Sequence, residues 1–67
     1  MLDYEKIGRK TKNERKIRGL TQEKLAEKID VCVPYVGLIE RGKRIPSLET
    51  MVKICRALEI RIDRVLE

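Results

Sequence analysis

Sixty-seven residues, 40% of them charged and only 3% aromatic, make one small domain spanning 1–67, near the lower size limit at which a single core holds a chain folded without disulfides or metal. With no Trp, Phe or His and only two Tyr, the core has to be built from Leu, Ile, Val, Met, Ala and Cys, which favours an all-helical fold over a sheet. The net charge of +5 by itself fits a solvated basic surface better than a polyanionic partner, and the two cysteines, Cys32 and Cys55, are too few and too far apart for a zinc cluster, so no metal or cofactor is expected and both read as reduced thiols.

Turn signals divide the chain into five helical segments. Helix 1 is expected from about Asp3 to Arg18, stopping at Gly19, which tolerates positive φ. Thr21 then caps a helix over Gln22 to Ile29, with Leu25, Ala26 and Ile29 turned inward. A third helix begins near Cys32 or Val33, because Pro34 fits only in a first turn, where its missing N–H had no intrahelical partner. Gly42 ends it, Pro46 blocks continuation, and Ser47 caps a fourth helix. In that helix Leu48, Met51, Val52, Cys55 and Leu58 recur at helical spacing. A short helix from Ile62 to Leu66 closes the chain.

Within this series, residues 19–44 fit two helices folded across each other at a tight turn, the geometry of a helix-turn-helix. Small Ala26 sits where two crossing backbones come close. Asp30 falls where the chain must turn, and Val36 and Ile39 where the second helix packs on Leu25 and Ile29. Charge is uneven too: residues 3–18 carry seven Lys or Arg against three acids, Arg41, Lys43 and Arg44 add three more cations, and residues 45–67 balance four bases with four acids. One basic face is the result.

The segments IGRK (7–10), GLTQEKLAEKI (19–29), PYVGLIERGKR (34–44) and PSLETMVKICRAL (46–58) together resemble the lambdoid phage repressor and Cro family of helix-turn-helix domains, the XRE type. The resemblance implies a five-helix lambda-repressor-like DNA-binding domain whose third helix enters the major groove of double-stranded DNA, with two subunits on a symmetric operator. It places Thr21 and Gln22 against a phosphate and Val33, Pro34, Tyr35, Gly37 and Leu38 toward the groove. Arg41, Lys43 and Arg44 then continue that surface past the end of helix 3, and Arg15 and Glu40 form an ion pair between helices 1 and 3. The chain also departs from the family. Asp30 and Glu59 stand where relatives usually carry Gly for a left-handed backbone. Cys32 and Arg61 replace small hydroxyl caps, and Thr11 takes a usually apolar site, so helix 1 is expected to dock loosely.

The groove-facing set lacks Gln, Asn and Arg on helix 3 itself, so direct hydrogen-bond readout is expected to be sparse. Specificity then leans on methyl contacts by Val33 and Leu38, on the flanking cations and on DNA shape, favouring A·T-rich operators. Surplus apolar residues Ile60, Ile62, Val65 and Leu66 are expected to join two copies into a homodimer. No nucleophile has a plausible base and no Gly-rich phosphate loop is present, so the reading is a transcriptional repressor and no enzyme. Cytoplasmic location and a bacterial, phage or plasmid source go with it; no apolar run approaches a membrane span and no small-molecule ligand is evident. The rival reading is a protein-binding module that uses the apolar surface of Val33, Pro34, Tyr35 and Leu38.

Overall fold

The computed structural model describes residues 3–66, and every regular element among them is helical: α1 (Tyr4–Ile17), α2 (Gln22–Ile29), α3 (Val33–Glu40), α4 (Leu48–Leu58) and α5 (Ile62–Leu66). The local signals act as expected at most starts. Asp3, Thr21 and Ser47 accept the backbone N–H of Lys6, Lys24 and Thr50 at 3.0–3.1 Å, satisfying one orphan donor of each helix. Cys32 makes no such side-chain bond at α3, where Pro34 lies in the first turn.

The first four helices all end alike. The residue closing the turn donates to a carbonyl three residues back and its successor to one five residues back: Gly19 to Lys16 and Leu20 to Arg15, Asp30 to Glu27 and Val31 to Ala26, Gly42 to Ile39 and Lys43 to Leu38, Glu59 to Arg56 and Ile60 to Cys55. This motif needs a left-handed residue. Gly19, Asp30, Gly42 and Glu59 supply it with φ between 56° and 73°. Asp30 and Glu59 therefore adopt a conformation that Gly takes without strain.

Burial separates the core into two clusters. Leu25, Ala26 and Ile29 of α2, Val36 and Ile39 of α3, and Ile54 and Leu58 of α4 form the larger one. Ile7, Met51, Cys55 and Val65 form the second, joining α1, α4 and α5. Ile54 is fully buried although the spacing argument passes over it. Leu48, which that argument includes, is 74% exposed; it sits in the first turn of α4, beyond the edge of the packed stripe. Burial pushes the Cys55 thiol above its ordinary range, and both cysteines are free.

Helix 1 is not loosely docked. Thr11 is buried, and its hydroxyl donates to Ile7 O four residues back at 2.9 Å, so a polar group replaces an apolar one with its donor satisfied. Contact with α3 is close because Gly8 has no side chain: a Cβ there would lie 2.6 Å from Glu40 O. The approach is then locked by charge. Arg15 Nε and Nη2 reach Glu40 Oε2 and Oε1 at 2.7 and 3.2 Å, and its Nη1 donates to Leu20 O at 2.8 Å. Both side chains are almost wholly covered.

At the opposite side of α1, Glu14 accepts from Arg64 Nε at 2.9 Å and Arg18 Nη1 at 2.5 Å, tying α5 to α1. Lys10 adds a 3.3 Å bond to Arg64 O. The Arg64 hydrogen bond foremost, then that of Arg18, holds the Glu14 carboxyl below its ordinary value, with desolvation opposing.

These contacts give three expected outcomes. Glu40→Gln should cost about 3–5 kcal/mol in urea unfolding, because Arg15 stays buried without its counter-charge, whereas Arg15→Met with Glu40→Leu should recover most of that loss. Glu59→Gly should raise stability by about 0.5–1 kcal/mol, the relief of left-handed strain partly offset by chain entropy. A depressed folded pKa at Glu14 means that its contribution is complete above the ordinary carboxyl pKa of about 4.5 and disappears as pH falls through the folded value. Thermal melts of Glu14→Gln should therefore decline less on acidification than those of the parent chain.

Candidate nucleic-acid interface

The second and third helices cross because Leu25, Ala26 and Ile29 meet Val36 and Ile39, and the left-handed Asp30 turns the chain between them within three residues. That leaves one side of α3 outward. On it, Pro34 is exposed and Leu38 is half-buried. Val33 and Tyr35 are half-buried, and both pack on the larger core cluster. Tyr35 thus serves the core with part of its ring, and Val33 has less free surface than a purely groove-facing residue would.

Gly37 differs from its expected place. It is buried. Its cover is polar: a Cβ built there would stand 3.1 Å from Arg41 Nη1 and 3.8 Å from Gln22 Nε2. Arg41 therefore does not simply extend the surface beyond α3 but folds back along it, as an i,i+4 side chain leaning toward the helix N-terminus can. That Gly–Arg spacing is visible in the sequence, although nothing there fixes the rotamer.

At the start of α2, Thr21 is exposed while its oxygen accepts the Lys24 N–H. Gln22 turns inward, and its Nε2 donates to Glu40 Oε1 at 3.0 Å. The amide expected on a phosphate thus has one N–H committed to the buried carboxylate, leaving the second N–H for any ligand. Gln22 and Arg15 thereby converge on one carboxylate, so the beginning of α2, the end of α3 and the last turn of α1 share a single polar node. Among the described residues no buried side-chain nitrogen or oxygen lacks a partner.

Cations around this face divide into two kinds. In α1 and α5, Arg9, Arg15, Arg18 and Arg64 each have a carboxylate partner. Past the recognition segment, Arg41, Lys43 and Arg44 are exposed and make no ion pair or side-chain hydrogen bond among the described residues. Gly42 holds this cationic turn close to α1, since a Cβ there would fall 2.8 Å from Glu5 Cα. An apolar-centred face with unpaired cations along one edge suits a phosphate-flanked groove. The described residues offer no cluster suited to a metal ion, and no described helix is long and apolar enough to cross a membrane.

The residues expected to pair two copies are only partly available. Val65 is buried in the monomer's second cluster, and Ile60 and Ile62 are half-buried against the core. Five-residue α5 packs inward because α1 and α4 leave a gap that Val65 fills. Leu66 remains exposed, and with Ile45 (61% exposed) and Leu48 it borders a groove of about 210 Å³ whose walls include Tyr4, Pro46 and Ile62. Three of the four most exposed large apolar side chains among the described residues lie there; the fourth, Ile17, does not.

Comparison with known proteins places this geometry. The transcriptional repressor RstR of the cryptic phage CTXphi in Vibrio cholerae is 38% identical over 58 residues, covering 87% of this chain and 52% of the repressor; the chain spans about half its length. The restriction-modification controller protein C.AhdI from Aeromonas hydrophila superposes with a TM-score of 0.90 at 36% identity, covering 94% of this chain and 96% of that one. SinR, described as a master regulator for biofilm formation and solved in complex with DNA, gives a TM-score of 0.85 at 32% identity, covering 91% and 98%. These relatives are named as repressors and regulators, not as enzymes. Because the family model described as Helix-turn-helix matches residues 12–65, spanning all the contacts that set α2 against α3, the chain belongs to the helix-turn-helix family of the phage-repressor and Cro (XRE) type.

Proposed function

We propose that this chain is a sequence-specific double-stranded DNA-binding transcriptional regulator, a repressor that occupies a symmetric operator as a homodimer. The observation that carries this reading is the outward side of α3, braced from behind by the Arg15–Glu40–Gln22 node and bordered by Arg41, Lys43 and Arg44 without carboxylate partners. Such an edge holds the sugar-phosphate backbone while Pro34, Leu38 and the free part of Val33 meet the groove. Thr21, Gln22 and Tyr35 complete the contact set at the start of α2 and the first turn of α3, and Gly37 lets the two helices' polar side chains lie close to the surface. The likeness to SinR, solved with DNA, supports the same docking. A cytoplasmic site follows from the proposed access to DNA.

The homodimer reading moves to the groove of Ile45, Leu48 and Leu66, with Ile62 in its wall, Ile60 outside it and Val65 retained by the core. Two copies joined there would present two α3 helices to half-sites about one helical turn, roughly 34–36 Å, apart. With few hydrogen-bonding side chains on α3 itself, A·T-rich sequence around the contacts favours binding through methyl packing and shape.

Titrating affinity for duplex DNA against salt tests the reading. Each neutralised phosphate should add about −0.9 to the slope of log affinity on log salt. Lys43→Ala and Arg44→Ala should each flatten the slope by about one phosphate and weaken all sequences alike, whereas Leu38→Ala should reorder preference among sites. Affinity indifferent to salt would instead support docking of a protein on the apolar face.

A further inference from the structure

Buried Gly37 is covered by polar side chains, Arg41 foremost. The guanidinium comes within 3.1 Å of where a Gly37 Cβ would stand, its Cζ at 3.9 Å, with Gln22 Nε2 at 3.8 Å. A Cβ at 37 would make the guanidinium give by a few tenths of an ångström, and a long side chain would occupy its place. The bare glycine is thus a seat, and the arginine lies in it over the middle of α3.

Three further observations bear on Arg41, and the last separates it from the cations beside it. Its guanidinium makes no hydrogen bond or ion pair among the described residues, so its planar fork of donors is unspent. Of the other side chains proposed for this surface, Pro34, Leu38 and Val33 carry no donor, Tyr35 offers a single hydroxyl, and Gln22 has committed one amide N–H to Glu40. Lys43 and Arg44, by contrast, follow the Gly42 turn and stand beyond the helix.

The geometry points to Arg41 as the base-reading side chain of this surface, selecting a guanine in each half-site, with Gly37 as the residue that positions it. This rests on the DNA-binding reading above. A guanidinium presents two parallel N–H groups that match the O6 and N7 acceptors of guanine in the major groove, a fit that an ammonium lacks. One G·C pair then stands within an otherwise A·T-rich half-site.

Selection of bound sequences from random duplexes, run on the full chain with thermal melts as the folding check, tests the assignment. The parent chain should return one fixed G·C pair per half-site. Arg41→Ala and Arg41→Lys should lose that preference by about 10- to 100-fold while keeping the others. Gly37→Leu, which retains the arginine but fills its seat, should lose the same preference. Lys43→Ala should weaken every site and keep the guanine. The assignment is overturned if Arg41→Ala lowers affinity for all sequences equally with the selected site unchanged, which would make Arg41 a phosphate contact. It is equally overturned if the folded Gly37→Leu variant still selects the guanine. Failure of the parent chain to bind any duplex would sink the DNA reading itself, a result distinct from either.

Discussion

The buried ion pair of Arg15 and Glu40 is the constraint on which the remaining geometry depends. Arg15 belongs to the last turn of α1, Glu40 to the end of α3, Leu20 O to the turn between α1 and α2, and Gln22 to the start of α2. Taking both charges out of water is costly, and their attraction offsets the cost only when the remaining donors and acceptors are also satisfied. Here they are satisfied by groups from different segments. A purely apolar contact would hold α3 against α1 but allow it to rotate about its own axis. Directional bonds at both carboxylate oxygens limit that rotation, and the rotation is what decides which residues of α3 face outward.

Close backbone approach makes the ion pair possible. Gly8 lets α1 come against the carbonyls of Ile39 and Glu40, and Gly42 lets the turn after α3 rest on Glu5. With α1 this near, the guanidinium of Arg15 reaches a carboxylate that water does not. The four helix ends contribute in the same direction. Each reverses the chain with two backbone bonds and one left-handed residue, so connections are short and helices cannot drift apart. Asp30 and Glu59 accept the strain that glycine would avoid, while their restricted unfolded chains lose less entropy on folding.

Charge is distributed according to what each surface must do. On the α1 and α5 side, arginines are matched by Glu5, Glu14 and Glu40, and an exposed pair of this kind contributes little energy but cancels the local field. At residues 41–44 no acid answers the cations. Three cations thus stand together beside α3, where attraction of a polyanion and short-range positioning coincide. The same segment supplies Lys43 N–H to the end of α3, so the backbone of the cationic turn is as well held as the helix it follows.

Much of this was legible in residue order. Capping residues, glycines, prolines and 3.6-residue periodicity are local signals, so the limits of the first four helices followed largely from Gly19, Thr21, Pro34, Gly42 and Ser47. The pairing of Arg15 with Glu40 was available only through resemblance to a family, since residues 25 apart carry no local mark of contact. Tertiary structure alone decided what depends on the packing of several segments at once. It buried Ile54 and exposed Leu48, satisfied Thr11 within α1, drew Val65 into the core and Gln22 toward Glu40, and laid Arg41 over Gly37. The physical reason is that a helix's existence is set by its own backbone and caps, whereas the face it buries, and the rotamer of each long polar side chain on it, are set by which neighbours arrive there.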